Sequence, residues 1–333
     1  MPVRRPTLPK VSASTGIEGV VAATPYPAVV PIFDQPFRTP SYSLSVCIVF
    51  SIAFFWSFSG LIFRQIEAAE PWEIIFYRSI GVALGVTFAV LIRYQRAAGQ
   101  AFRRIGKPGL AAALCLSAAS LCFLQALHFT TIANISFLVA AHPFFAAALA
   151  WLLLKERVTL RTWFAAALAL AGVLLMVLEG LAFGGALGNI LGLAAAILSA
   201  GYAVALRFGR HIDMTPAVAL SGIFALIFSA PLVVDFQISW HDLSLCLLQG
   251  MVISAICNSL FAYAVRSVPA AEVTLFTLLE TVLAPIWVWL VIDESPSGLT
   301  FIGGTIILTA IFGHAYSAMR RPSRTVRSGP FPV

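Results

Sequence analysis

The chain has 333 residues, of which 60% are hydrophobic and 11% charged, with a formal net charge of +7. Soluble domains run at about 45–50% apolar and about 25% charged, so a soluble enzyme, a disordered chain and a disulfide-rich secreted domain are all excluded. The five cysteines all fall in apolar stretches, without CxxC or metal-ligand spacing, and read as small buried residues.

Residues 1–41 come first and differ from the rest. Prolines from Pro2 to Pro40 interrupt them, and a segment so broken and so poor in periodic apolar residues is expected to be disordered. Its bases, Arg4, Arg5 and Lys10, precede a Ser/Thr/Gly/Pro mixture rather than the apolar core of a signal peptide. After it come ten apolar blocks: 43–63, 73–92, 109–128, 131–154, 160–178, 187–206, 216–236, 243–264, 270–292 and 298–317. Each is long enough to cross a hydrocarbon core of roughly 30 Å as a helix, the form in which an isolated segment satisfies its own backbone in lipid. A basic tail, 318–333, closes the chain.

The bases fall on alternate connections. Arg93, Arg96, Arg103, Arg104 and Lys107 follow the second block; Lys155, Arg157 and Arg161 the fourth; Arg207 and Arg210 the sixth; Arg266 the eighth; Arg320 and Arg321 the tenth. The other connections hold Arg64 among acids such as Glu67, Glu70, Glu179, Asp235, Asp242 and Asp293. This alternation predicts an inner-membrane protein with both termini cytoplasmic. It also explains the net charge as a topology signal, so no nucleic-acid partner is expected.

Shifted by 138 residues, 123–162 lies without gaps on 261–300. Trp151-Leu152 meets Trp289-Leu290, and Glu156 meets Glu294. More weakly, 56–64 lies on 199–207. Two repeats, 43–178 and 187–317, would hold five helices each, and an odd number forces the second to enter from the opposite side. The fold class expected is therefore an all-α polytopic membrane protein of two inverted five-helix repeats, the architecture of many secondary transporters.

PFFAAALAWLLLKERVTLRTWFAAALALAGVLLMV (143–177) resembles the signature of the drug/metabolite transporter superfamily in its EamA branch, and WEIIFYRSIGVAL (72–84) resembles that family's second helix. The resemblance spans about residues 43–317 and implies ten helices and export of a small metabolite such as an amino acid, nucleoside or drug-like compound. The second repeat departs from the pattern by placing Thr281 where the first has Pro143.

Ionisable groups inside the blocks are costly, at roughly 2.5–3.5 kcal/mol each on insertion scales. Arg78, His142 and Glu280 are the three at depth, and His142 and Glu280 are equivalent in the repeat. Their expected role is in the substrate pathway: Arg78 for a carboxylate or phosphate, Glu280 and His142 for a cationic group or a proton. The alternative is structural, a His142–Glu280 pair within the bundle and an Arg78 paired with Glu73 or Glu280. Asn134 and Glu272 are also equivalent, near helix ends, as gates or as caps. Trp56, Tyr77 and Tyr263 are expected as cavity walls, with Gln125, Tyr202, Asn258 and Trp287 beside them. Glu156 and Glu294 read as surface or loop-structuring acids.

No GxxxxGK[ST], HExxH or GxSxG occurs, so no enzyme and no cofactor is expected. The expected partners are a small-molecule substrate, the lipid bilayer and, as a coupling ion, protons; oligomeric state is left unassigned. The competing readings are a membrane-embedded enzyme on a lipid-linked substrate and a channel.

Overall fold

The computed structural model describes residues 40–178, 185–292 and 297–320. Expectations for the proline-rich arm, for Glu179, Asp293 and Glu294, and for the tail beyond Arg320 lie outside the described residues. Within them ten helices are long and apolar enough to cross a membrane, and no residue is in a strand. The chain is an all-α, multi-pass membrane protein.

Helix ends depart from the expected blocks for local reasons. The seventh span stops at Leu232 rather than 236, because Pro231 sits in a closing 3₁₀ turn that leads into extended backbone at Val233. The eighth starts at Trp240 rather than 243, where Ser239 accepts a hydrogen bond from the Asp242 amide at 3.0 Å. That N-cap satisfies one of the donors a helix start leaves open. The second span begins in a capping box between Glu70 and Glu73 and runs to Tyr94.

The fourth and ninth spans, expected to be continuous, are each broken near the middle. The fourth divides into Ile132–Ala140 and His142–Leu154, the ninth into Ala270–Thr277 and Leu279–Ile292. The breaks, at Ala141 and Leu278, fall within one residue of equivalence in the repeat register. In the fourth span the cause is Pro143, which brings no N–H and whose ring opposes the carbonyl four residues back. In the ninth no proline stands at the break. There Thr274 and Thr277 hydroxyls donate to the Ala270 and Thr274 carbonyls at 3.0 and 2.8 Å, a competition that weakens and bends helices.

Helix pairing follows a pattern that survives exchanging each span for the one five places on. The third span packs on the sixth and the eighth on the first; the second packs on the eighth and the seventh on the third. The fourth packs on the sixth and the ninth on the first, while second and seventh, fourth and ninth, and fifth and tenth touch their own counterparts. Small residues allow the closest of these approaches. A Cβ on Gly172 of the fifth span would lie 2.7 Å from the Gly303 carbonyl of the tenth. On the same face Ala165, Ala166 and Ala169 are buried.

Candidate functional site

The eighth span organises the polar interior. Its first part, Trp240–Leu247, passes through a π-helical stretch, Leu248–Ser254, before returning to α-helix at Ala255–Ala264. Such stretches re-aim side chains and frequently mark functional sites. Gly250 within it meets the second span so closely that an added Cβ would collide with the backbone of Arg78. Arg78 therefore enters the bundle directly beside the π stretch, where its Nη1 donates weakly to Ser254 Oγ at 3.5 Å. Ser254 in turn donates to Gln249 Oε1 at 3.2 Å. Arg78 Nε is buried with no hydrogen-bond partner.

The expected structural partners of Arg78 do not reach it. Glu73 accepts the Glu70 amide at 3.0 Å as part of the capping box. Glu280 begins the second piece of the ninth span and is part-exposed. Among the described residues neither Arg78 nor Glu280 has an ion-pair partner. Arg78 meets the eighth span at Ser254, while the helix that Glu280 begins packs on the first and tenth spans.

Aromatic rings extend the same face. Phe261 lies 5.9 Å from Trp56 and stacks at 5.6 Å on Tyr202, whose hydroxyl donates to the Asn258 carbonyl at 3.4 Å. Asn258 itself donates from its side chain to the Ser254 carbonyl at 2.9 Å.

His142 stands where the two broken spans cross. Its Nδ1 lies 2.8 Å from the Val139 carbonyl and its Nε2 3.4 Å from Thr277 Oγ1. A carbonyl only accepts, so Nδ1 carries the proton and donates. His142 and Glu280 do not form the structural pair considered from the sequence. The remaining sequence candidates lie elsewhere. Asn134 donates to Thr130 Oγ1 at 2.9 Å at the start of the fourth span. Glu272 accepts from Tyr42 at 2.7 Å and faces His314 at 3.6 Å at the start of the ninth. Tyr77 donates to the Phe236 carbonyl at 2.7 Å on the connection before the eighth span, and Tyr263 opens to the surface near Arg266.

The basic connections gather at one end of the bundle. Arg207 is buried and donates to Glu156 at 2.9 Å and to the carbonyls of Val265 and Arg266 at 2.9 and 2.8 Å. Arg210 approaches the same carboxylate at 3.7 Å, which makes Glu156 the loop-structuring acid expected of it. Asp213 accepts from the Tyr94 hydroxyl at 2.6 Å, from Thr215 through amide and hydroxyl at 2.9 and 2.7 Å, and meets Arg93 at 3.4 Å. Burial acts to raise its pKa, but these donors outweigh it and hold the carboxyl below the usual range. At the opposite end Asp242 accepts the Glu67 and Ala68 amides at 3.2 and 3.1 Å, joining the first connection to the start of the eighth span.

Ser254, Gln249, Phe261 and Thr277 belong to this interior and escaped the sequence reading. Small hydroxyls and a phenylalanine give no contrast inside an apolar block. The i, i+4 spacing of Ser254 and Asn258 was the one periodic sign of a polar face.

A model of the EamA-like transporter family matches residues 43–178 and again residues 186–315. The chain belongs to that family. Each match holds five of the ten spans of this EamA-like transporter. The pseudopaline exporter CntI of Pseudomonas aeruginosa is 26% identical over 264 residues, covering 78% of this chain and 91% of that protein. The S-adenosylmethionine/S-adenosylhomocysteine transporter of Chlamydia trachomatis is 27% identical over 295 residues, covering 81% and 88%. A solved crystal structure superposes with a TM-score of 0.73 at 16% identity over 85% of this chain and 100% of its own length, a likeness of fold. A transporter of small metabolites, rather than an enzyme, is the class these relatives share.

Proposed function

We propose that this protein exports a small organic metabolite carrying both an acidic and a basic group, by alternating access of two inverted five-helix halves. The observation that carries the reading is Arg78: it enters the bundle beside the π stretch with its Nε buried and, among the described residues, without a hydrogen-bond or ionic partner there, and with only a weak bond from Nη1 to Ser254; Glu280 of the ninth span is the acid assigned to the basic group. An intramembrane arginine is stable only with compensation. A substrate carboxylate beside Ser254 supplies it with charge-assisted hydrogen bonds, and a substrate ammonium does the same for Glu280. The Phe261 ring, stacked on Tyr202 and tilted against Trp56, suits a planar or apolar body.

The broken fourth and ninth spans support alternating access, because discontinuous helices meeting at the repeat interface are where carriers place substrate. Their halves at the basic end, His142–Leu154 and Ala270–Thr277, pack on each other. The other halves lie against different neighbours, Ile132–Ala140 on the sixth span and Leu279–Ile292 on the first and tenth. This favours a form closed at the basic end and open at the other. The positive-inside rule puts the basic end in the cytoplasm, with both termini there in an inner membrane, so the open form faces outward. Asn134 and Glu272, at opposite ends, then close the two mouths. Tyr77 and Tyr263 flank them, and Glu280 and His142 are the groups able to exchange a coupling proton.

Purified protein in liposomes tests this. Saturable counterflow of amino-acid-like zwitterions, weak for neutral nucleosides and lost in R78Q and E280Q while thermal unfolding is unchanged, is the expected result. Wild-type rates in both variants would overturn the site. Non-saturable flux would overturn the carrier.

A further inference from the structure

The basic ends of the first, ninth and tenth spans meet on one buried carboxylate. Glu272 lies in the first turn of the ninth span. Its Oε2 accepts from the Tyr42 hydroxyl at 2.7 Å, and its Oε1 lies 3.6 Å from His314 Nε2. Tyr42 opens the first span, and His314 stands five residues before the end of the tenth. The Glu272 and His314 side chains are only 10% and 1% exposed, so little water reaches the pair.

At 3.6 Å the imidazole is within ion-pair range of the carboxylate but beyond a hydrogen bond. His314 Nε2 is buried with no hydrogen-bond partner, an uncommon state for a polar atom. Beside it are rings: Phe276, four residues on from Glu272 on the same helix face, lies 5.9 Å from the imidazole, and Phe50 packs against both Phe276 and Phe312. The other ionisable groups on the elements packed here are engaged or turned elsewhere. His142 of the fourth span faces Val139 and Thr277, and Arg207 of the sixth is taken by Glu156 and two carbonyls. Arg161 of the fifth span is exposed, and Glu280 begins the other piece of the ninth.

One proton decides how the pair interacts. An imidazolium directs an N–H at Oε1 and draws the carboxylate in by a charge-assisted hydrogen bond. An imidazole that presents its Nε2 lone pair repels the same oxygen. A metal ion fits less well, because hard cations take six or more oxygen ligands. Among the described residues no group of three His, Cys, Asp or Glu side chains is placed to hold one.

We propose that Glu272 and His314 form a proton-operated latch at the basic end. A proton taken from that side forms one N–H bond on the imidazole, brings the pair from a net charge of −1 to neutral, and ties the tenth span to the ninth and, through Tyr42, to the first. Its loss frees the tenth span. Histidine protonation is a recurrent way of switching packed interfaces near neutral pH. The latch rests on the proposed transport function only in treating this end as a mouth of the pathway, and it is tested without transport.

The test compares wild type, E272Q, H314Q and the double variant by thermal unfolding of the full chain in detergent at pH 6 and pH 8, either side of the ordinary histidine range. Stability from the latch is present at the lower pH and lost on raising it. At pH 6 each single variant is expected to melt about 2–4 °C below wild type, with the double variant no lower than the singles. At pH 8 that non-additivity is expected to shrink. Y42F, which acts on the other oxygen, is expected to melt lower at both pH values and to keep the difference between them. Hydrogen exchange of the wild type, corrected for the intrinsic effect of pH, reads the latch without any substitution. Residues 270–277 and 310–319 are expected to be better protected at pH 6 than at pH 8, with 106–129 unchanged. Equal coupling between Glu272 and His314 at the two pH values would overturn the latch, as would unchanged protection of those segments. R78Q and E280Q are expected to leave both readouts as they are, which separates the latch from the transport site.

Discussion

His142 Nδ1 lies 2.8 Å from the carbonyl of Val139, the acceptor that Pro143 leaves without its usual donor four residues on. In a continuous helix the amide four residues on would bond that oxygen; proline has none. The imidazole caps the break from within, and its other nitrogen reaches across to Thr277 at the break in the ninth span. A side chain marked by its cost in the membrane thus links the discontinuities of both halves.

H142A should remove the imidazole donor from the Val139 carbonyl, lowering stability by about 0.5–1.5 kcal/mol. Restoring a backbone donor with P143A should recover part of that loss, so the double variant should melt above H142A alone. A double variant that melts no higher would mean that the cap is not what the histidine supplies. Melting of the three variants in detergent gives the comparison.

The contact between the second and eighth spans rests on bare backbone at Gly250, where a methyl group would strike the Arg78 carbonyl. A Cβ added at Gly81, one turn from Arg78, would lie 2.9 Å from the Met251 amide nitrogen in the same seam. G250A should destabilise by about 1–3 kcal/mol through overpacking and reduce transport by shifting Arg78 off Ser254. Gly313 has nothing within 4 Å of an added Cβ, and G313A should be neutral or stabilising by up to about 1 kcal/mol. If the two substitutions behave alike in unfolding assays, the seam is not tightly packed.

At the basic end Arg207 is the anchor, 7% exposed and shared among Glu156 and two carbonyls. R207Q should cost roughly 3 kcal/mol, the range seen when one partner of a buried pair is removed. Arg320, stacked over the Tyr316 ring at 4.2 Å, belongs to the exposed kind of contact, and R320Q should change stability by no more than about 1 kcal/mol. Comparable melting temperatures for R207Q and R320Q would contradict this ordering.

Asp213 links stability to acid. Its carboxyl pKa is held down in the fold by the Tyr94 and Thr215 donors and by Arg93, against the pull of burial. A carboxyl depressed in the folded state contributes stability that is present above its unfolded value of about 3.9 and is lost as pH falls through its folded value. The melting temperature should therefore drop below about pH 4, and D213N should flatten that part of the profile while melting lower at neutral pH. An unchanged acid limb in D213N would assign the loss to other groups.

Much of the architecture was legible because lipid makes sequence explicit. A block of twenty apolar residues has few folded options in a bilayer, and bases on alternate connections report the same end, where Glu156, Arg207, Asp213 and Arg266 are indeed found together. The 138-residue register set His142 against Glu280, whereas its neighbour in the ninth span is Thr277. The breaks at Ala141 and Leu278 were not legible, because a proline inside an apolar block is compatible with a kink, a cap or a continuous helix. The π stretch at 248–254 left no trace in composition.

The sequence by itself determined the membrane class, the number of apolar spans and the two matching halves. The first two follow from the cost of moving polar groups into hydrocarbon, a property that every residue carries wherever it sits. Tertiary structure decided which polar residues meet. Arg78 avoids Glu73 and faces Ser254, His142 reaches Thr277, and Glu272 is taken by Tyr42 and His314. Contacts like these depend on helix rotation and on where a backbone can approach, as at Gly250. Rotation is set by packing across spans far apart in the chain, and no single apolar block records it.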